Sequence, residues 1–170
     1  MPQLRLLTPD DAEKYAAIRR EMLGDTPTAF TGSPENDRGC NAELVRASLA
    51  QGHEPPQYAI VGVIEAGRLI ASAGLIRKEQ PKRHHIATIW GVFVSPAARG
   101  RGLGRAVVTT AIETARGWPG VACVLLTVSE RNTRARAMYE SLGFAAWGVE
   151  PDAMRIGGVS LAEVYMRLPL

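Results

Sequence analysis

Between Val92 and Arg105 the chain reads Val-Phe-Val-Ser-Pro-Ala-Ala-Arg-Gly-Arg-Gly-Leu-Gly-Arg. An apolar run stops at a proline, three glycines alternate with larger residues, and Leu103, Val107, Ala111 and Ala115 then recur every four residues. This is the pattern of a strand, a tight turn and an amphipathic helix leading off from it. Glycines admit positive φ and close backbone approach, so successive N–H groups can point into one cavity. A helix N-terminus adds unpaired donors and partial positive charge. The segment is suited to a phosphate, and Arg99, Arg101 and Arg105 strengthen that preference.

Two common phosphate loops do not fit. A P-loop closes on Lys-Ser or Lys-Thr, which this turn lacks. A dinucleotide fingerprint spaces its glycines G-x-G-x-x-G. Counting from Gly100 puts Arg105 at the third glycine, and counting from Gly102 puts Val107 there.

The elements around the turn are legible from period and punctuation. Leu4 to Leu7 reads as a first strand. Thr8-Pro9-Asp10-Asp11 opens a helix through Ala12, Tyr15, Ile18 and Met22, which Gly24 is expected to stop. Asp25 to Cys40 reads as loop, and Asn41 caps a second helix carrying Leu44, Val45 and Leu49. Strands over Tyr58–Ile64 and Leu69–Ile76 are joined by Glu65-Ala66-Gly67-Arg68, a hairpin connection. A charged stretch from Arg77 to His85 leads into a strand over Ile86–Val94. Beyond the glycine turn come a strand over Val121–Val128 and a helix capped by Asn132 and ended by Gly143. Two strand-like segments follow, around Met154-Arg155-Ile156 and over Leu161–Met166. The expected fold is one α/β domain spanning 1–170, with a mixed, mostly antiparallel sheet and helices on both faces.

Composition excludes several classes. A net charge of +3 over 170 residues is small and not interleaved with aromatics, which argues against a nucleic-acid partner. Met1–Asp10 carries no apolar stretch behind a basic head, and no apolar run reaches bilayer length, so a cytoplasmic protein without membrane attachment is expected. Cys40 and Cys123 form neither a disulfide framework nor a metal knuckle. His84 and His85 are adjacent on a strand and point apart, so no metal is expected.

The chain resembles the GNAT superfamily of N-acetyltransferases. Arg99, Gly102 and Gly104 match that family's Arg/Gln-x-x-Gly-x-Gly/Ala signature after a strand ending Val-Phe-Val-Ser-Pro. Asn132-Thr133-Arg134-Ala135-Arg136-Ala137-Met138-Tyr139-Glu140-Ser141-Leu142-Gly143-Phe144 matches its second signature, about thirty residues on. The resemblance implies a V-shaped splay between the two central strands and acetyl-coenzyme A as cosubstrate. It implies that Gly100, Arg101, Gly102, Leu103, Gly104 and Arg105 surround the pyrophosphate. Val92, Phe93 and Val94 would lie along the pantetheine arm, with one backbone N–H polarising the thioester carbonyl. Asn132 would bond the same arm, and Tyr139 would be the general acid. The acceptor, a small-molecule or peptide amine, would sit opposite the coenzyme near Phe30 and Trp90. The resemblance leaves a homodimer open.

The base departs from the family pattern. Thr88 and Thr127 stand where relatives carry a glutamate, and neither deprotonates an ammonium. Deprotonation then runs through an ordered water, or through Glu130, His84 or His85. The competing reading, kept open by those two threonines and opposed by Tyr139 at the family's acid position, is a catalytically silent acyl-coenzyme-A-binding module.

Overall fold

A computed structural model of the chain describes residues 1–51 and 57–170. Its elements run β1 (Gln3–Leu6), α1 (Ala12–Asp25), α2 (Ala42–Ala50), β2 (Tyr58–Glu65), β3 (Arg68–Arg77), β4 (Ile86–Val94), α3 (Leu103–Arg116), β5 (Cys123–Ser129), α4 (Thr133–Ser141), β6 (Ala145–Ile156) and β7 (Val159–Pro169). The seven strands form one sheet in the order β1-β2-β3-β4-β5-β7-β6. Every neighbouring pair is antiparallel except β4–β5.

Each helix covers a face for which its sequence supplies the apolar stripe. On α3, Val107, Val108, Ala111, Ile112 and Ala115 are buried against Val61, Ala71, Leu75, Ile89 and Val124 of the sheet. Tyr139 of α4 joins the same core, so α3 and α4 share one face. Tyr15, Ile18 and Met22 of α1 and Val45 of α2 bury against Ile60, Leu69 and Phe93 on the other face. This second core draws on β2, β3 and β4 and on no residue of β5, β6 or β7.

Two differences from the sequence-based expectation have physical causes. Thr8-Pro9-Asp10-Asp11 forms a short 3-10 turn before α1, fixed by the buried Asp11 carboxylate. That carboxylate accepts hydrogen bonds from the Thr8 N–H at 3.0 Å, from Arg5 at 2.6 and 3.0 Å and from Lys14 at 3.0 Å. Gly24 does not stop α1, which continues to Asp25. A helical glycine costs only about 1 kcal/mol relative to alanine, and the packed Met22 and Leu23 beside it outweigh that.

β6 is the larger miss. It starts at Ala145, nine residues before the segment around Met154, because an exposed edge strand carries no buried alternation to reveal it. Its register against β7 slips twice, between Ala146 and Gly148 and between Glu150 and Met154, which accommodates Pro151 and the positive φ of Asp152. No helix among the described residues is long and apolar enough to cross a membrane.

Candidate active site

The site begins where the sheet forks. β4 and β5 pair in parallel only at Ile86–Thr88 with Cys123–Leu125. Beyond Thr88 the two strands part, and Leu126 to Ser129 keep only β7 as a partner. The backbone edges of β4 and β5 that face each other across the gap have no ladder there, so they are available to an inserted chain.

A bulge re-aims β4 inside the fork. Its register against β3 slips between Ser72 and Gly74, and Gly91 adopts φ +59°. Ala87 and Ile89 therefore face α3, whereas Phe93 faces α1 in the company of Trp90. Uninterrupted alternation would have put Ile89 and Phe93 on the same face. Gly91 is required here: a Cβ would sit 3.2 Å from Nη1 of Arg19, in a φ region that disfavours side chains.

The glycine turn follows. After a 3-10 turn over Pro96–Ala98, Gly100 and Gly102 take φ of 80° and 75°, and α3 starts at Leu103. The three glycines have different tasks. Gly100 and Gly102 supply backbone conformation, since a Cβ on either meets nothing within 4 Å. Gly104 supplies space, because its Cβ would point between Val94 Cγ2 at 3.6 Å and Met138 Sδ at 3.8 Å.

One cleft of about 620 Å³ runs from this turn along the fork. It is lined by Phe30, Val92, Phe93, Val94, Arg99, Gly100, Gly102, Leu103, Gly104, Arg105, Asn132 and Tyr139, all named from the sequence. Arg134, part of the second signature, lines it as well, and so do Thr26, Thr28, Ser129 and Arg131, which nothing in local sequence pattern had marked. Asn132 also caps α4, its Oδ1 accepting from the Ala135 N–H at 3.2 Å. The Tyr139 ring sits edge-on to Phe144 at 6.0 Å, and burial raises its hydroxyl above the ordinary phenol range.

Two residues singled out from the sequence lie elsewhere. The Arg101 guanidinium turns to Glu65, with bonds of 2.8 and 2.9 Å, and is absent from the cleft lining. Trp90 lines a second cavity of about 650 Å³, on the α1–α2 side, together with Tyr58, Ile76, Arg19 and Asp37. The other two arginines of the turn line the cleft but are partly engaged by protein. Arg99 bonds Asp25 and the Val94 carbonyl, and Arg105 donates to Ser141 Oγ at 2.6 Å. Arg131 and Arg134 therefore contribute positive charge to the cleft that the turn alone does not account for.

The candidate bases divide by position. His84 Nε2 lies 2.6 Å from the Glu79 carbonyl, and the His85 carbonyl accepts from Ala122 and Cys123. Both histidines stand where β4 and β5 are still joined, at the closed end of the fork. Glu130 Oε1 accepts from the Ala162 N–H at 2.9 Å, which ties it to the start of β7. Thr88 lies within the paired stretch, its buried hydroxyl without a partner among the described residues, and Thr127 is exposed on β5.

This geometry meets its counterpart in known proteins. Residues 17–144 match the acetyltransferase (GNAT) family. The chain belongs to that family. It is 35% identical to the N-alpha-acetyltransferase RimI of Mycobacterium tuberculosis, over 94% of this chain and 86% of that protein. It is 33% identical to a mycothiol acetyltransferase of Salinispora arenicola, over 75% of this chain and 41% of that protein. The chain thus spans about two fifths of the length of the mycothiol acetyltransferases it matches. The structure of a GNAT-family acetyltransferase from Streptococcus pneumoniae superposes with a TM-score of 0.86, covering 100% of both chains at 18% identity. As a GNAT-family chain it carries the forked sheet expected from the two signatures, with both signatures facing one cleft.

Proposed function

We propose that this chain transfers an acetyl group from acetyl-coenzyme A to an amine, by direct attack of the neutral amine on the bound thioester. The observation that carries the reading is the union of fork, glycine turn and Tyr139 in one cleft. Unpaired N–H groups at the start of α3 and the open space at Gly100 and Gly102 suit a pyrophosphate. The unpaired edges of β4 and β5 suit the amide-bearing pantetheine arm. Bound there, acetyl-coenzyme A supplies the activated acyl carbon. The chain supplies position, a backbone donor at the β4 bulge for the developing oxyanion, and a proton from Tyr139 Oη for the departing thiolate. Neither cysteine lines the cleft, which agrees with transfer without a covalent enzyme intermediate.

RimI is named for α-amines and the mycothiol enzymes for a small thiol, so both peptide and small-molecule acceptors belong in the test. The measurement is thiol release from acetyl-coenzyme A with glucosamine, putrescine and a tetra-alanine peptide with a free N-terminus. Release with a pattern among these acceptors is the expected result. Tight coenzyme A binding without release from any amine would favour the silent binding module.

Tyr139→Phe should lower kcat by about 10²-fold, the low end of positioned acid catalysis, since a thiolate is already a fair leaving group. Burial keeps the phenol protonated well past neutral pH, so Tyr139 should add no alkaline limb below about pH 10. The ring and its contact with Phe144 survive the substitution. Coenzyme A affinity and the melting temperature should therefore hold, and an unchanged kcat with chemistry rate-limiting would return Tyr139 to a packing role.

A further inference from the structure

The core beneath α1 and α2 draws only on the β1–β4 half of their face; the turn at Pro27–Ala29 reaches β5, and no residue of β5, β7 or β6 among the described residues joins that core. Val124, Leu126 and Val128 of β5, and Val164, Met166 and Leu168 of β7, point to the α3–α4 side. By alternation Thr127 and Ser129, and Glu163 and Tyr165, point to the opposite side. The register sets Ser129 directly against Glu163, and Glu163 against Glu150 of β6. Trp147, 61% exposed, lies 5.4 Å from the Tyr165 ring, and the Tyr165 hydroxyl donates to Glu150. The result is a polar and aromatic shelf running from the fork to the sheet edge.

Ser129 joins this shelf to the coenzyme cleft. It is only 4% exposed, lines the cleft, and its hydroxyl has no hydrogen-bond partner among the described residues. A buried hydroxyl in the wall of the cleft is placed to pair with a polar atom of a bound ligand. Glu163 is the cross-strand neighbour of Ser129. Directly opposed residues of an antiparallel pair have Cβ atoms about 4.5–5.5 Å apart, within reach of one amine between them.

We propose that Glu163 is the general base of the transfer and that it receives, with Glu150, the acceptor as a protonated primary amine laid across this shelf. The inference rests on the acetyl-transfer reading and names the acceptor class and the base it left open. In the step, the Glu163 carboxylate takes a proton from the ammonium, and the freed nitrogen pair forms a bond to the acetyl carbon. The carbon–sulfur bond breaks, the thiolate takes a proton from Tyr139, the attacking nitrogen's second proton passes through solvent to restore the Tyr139 phenol, and Glu163 returns its proton to solvent. Ammonium and thioester thus become amide, thiol and one released proton.

The surroundings fit that task. Glu163 is half-buried, and burial first and Glu150 second push its carboxyl above the ordinary range, toward the pH at which a base works best. Tyr165, two residues along β7, faces the same side and donates to Glu150, and Arg131 lines the cleft beside Ser129. Glu130, after β5, is held by the Ala162 N–H; Arg167 is two pairs along β7 and exposed. This arrangement also explains how the chain dispenses with a carboxylate at Thr88 and Thr127, since the base comes from the strand beyond β5.

The test uses the whole protein with acetyl-coenzyme A and the three amines named above. Glu163→Gln should cut kcat by about 10²-fold at pH 7, with calorimetric coenzyme A affinity and melting temperature unchanged. The deficit should shrink as pH approaches the amine's own pKa, where free amine needs no base. Glu150→Gln removes the neighbouring charge, lowers the Glu163 pKa, and should move the acid limb of the rate profile to lower pH. An independent readout is the carboxyl-carbon NMR titration of Glu163, expected above the reference of about 4.3 and lower in Glu150→Gln. Wild-type kcat and an unaltered pH profile in Glu163→Gln overturn the proposal while leaving the acetyl-transfer reading intact. A wild-type protein that binds coenzyme A but acetylates none of the three amines overturns that reading, and the proposal with it.

Discussion

Gly104→Asp should remove coenzyme A binding almost completely while leaving the fold intact. A Cβ at this position meets only Val94 Cγ2 at 3.6 Å and Met138 Sδ at 3.8 Å, ordinary contacts that demand no rearrangement. The backbone there is α-helical without positive φ, so a side chain costs no conformational strain. What the carboxylate does is occupy the cleft and place a negative charge at a helix start where the ligand's own phosphates belong. It also pairs with Arg105 or Arg134, cations the ligand would otherwise use. Loss of affinity by about 100-fold or more follows from steric exclusion plus like charge. Gly104→Ala separates the two effects: it adds the methyl without the charge and should weaken binding by about tenfold or less, since the contacts stay beyond 3.4 Å. Calorimetry on both variants, with circular dichroism to establish folding, makes the comparison. Gly100→Ala and Gly102→Ala act differently, straining the turn itself, because both glycines hold positive φ in open space.

The sequence reading named the strand–turn–helix and both signatures because they rest on short-range chemistry. Alternating glycines, a capping asparagine and an i, i+4 apolar stripe are each visible within a dozen residues. The fork could not be derived that way, since nothing local distinguishes Thr88, which pairs with Leu125, from Ile89, which pairs with no residue of β5. It came from the resemblance alone. The bulge at Gly91 left no local trace: Ile89 and Phe93 are four residues apart and both apolar, which uninterrupted alternation on one face would equally give. A shift of face explains how they serve two cores, and that reading needed the second core to be seen. Glu163 was invisible for a related reason. Its alternation with Tyr165 is local, but its place opposite Ser129 depends on the β5–β7 register, a pairing of strands separated in the chain by α4 and β6. The 25–40 loop hid its role as well. It has no period, and its principal contact is an ion pair between residues eighteen apart.

That ion pair carries the second large prediction. Arg19 and Asp37 are buried together, with side-chain exposures of 10% and 14%, and joined by two bonds of 2.7 and 3.0 Å. The guanidinium lies over the Phe30 ring at 5.8 Å and the Trp90 ring at 5.7 Å. It therefore ties the segment between α1 and α2 to the bulged part of β4. Asp37→Asn leaves a buried arginine without its counter-charge, and loss of one partner of such a pair costs about 3–5 kcal/mol. Replacing both, as Arg19→Met with Asp37→Leu, should recover only part of this. Asp37 also accepts the Gly39 N–H at 2.8 Å, and leucine leaves that donor unpaired. The pH dependence has a definite sign. Arg19 holds the Asp37 carboxyl below its ordinary value, so its stabilisation is complete above about pH 4 and declines as acid protonates the folded state. Urea unfolding from pH 7 to pH 3 should show the wild-type losing stability in acid and Asp37→Asn, already without the charge, losing less. Because Phe30, Thr26 and Thr28 line the forked cleft from this same segment, Asp37→Asn should, on the proposed function, also raise the KM for acetyl-coenzyme A more than it lowers kcat. Equal stability of the two proteins at pH 7 would mean that the pair contributes nothing beyond its desolvation cost.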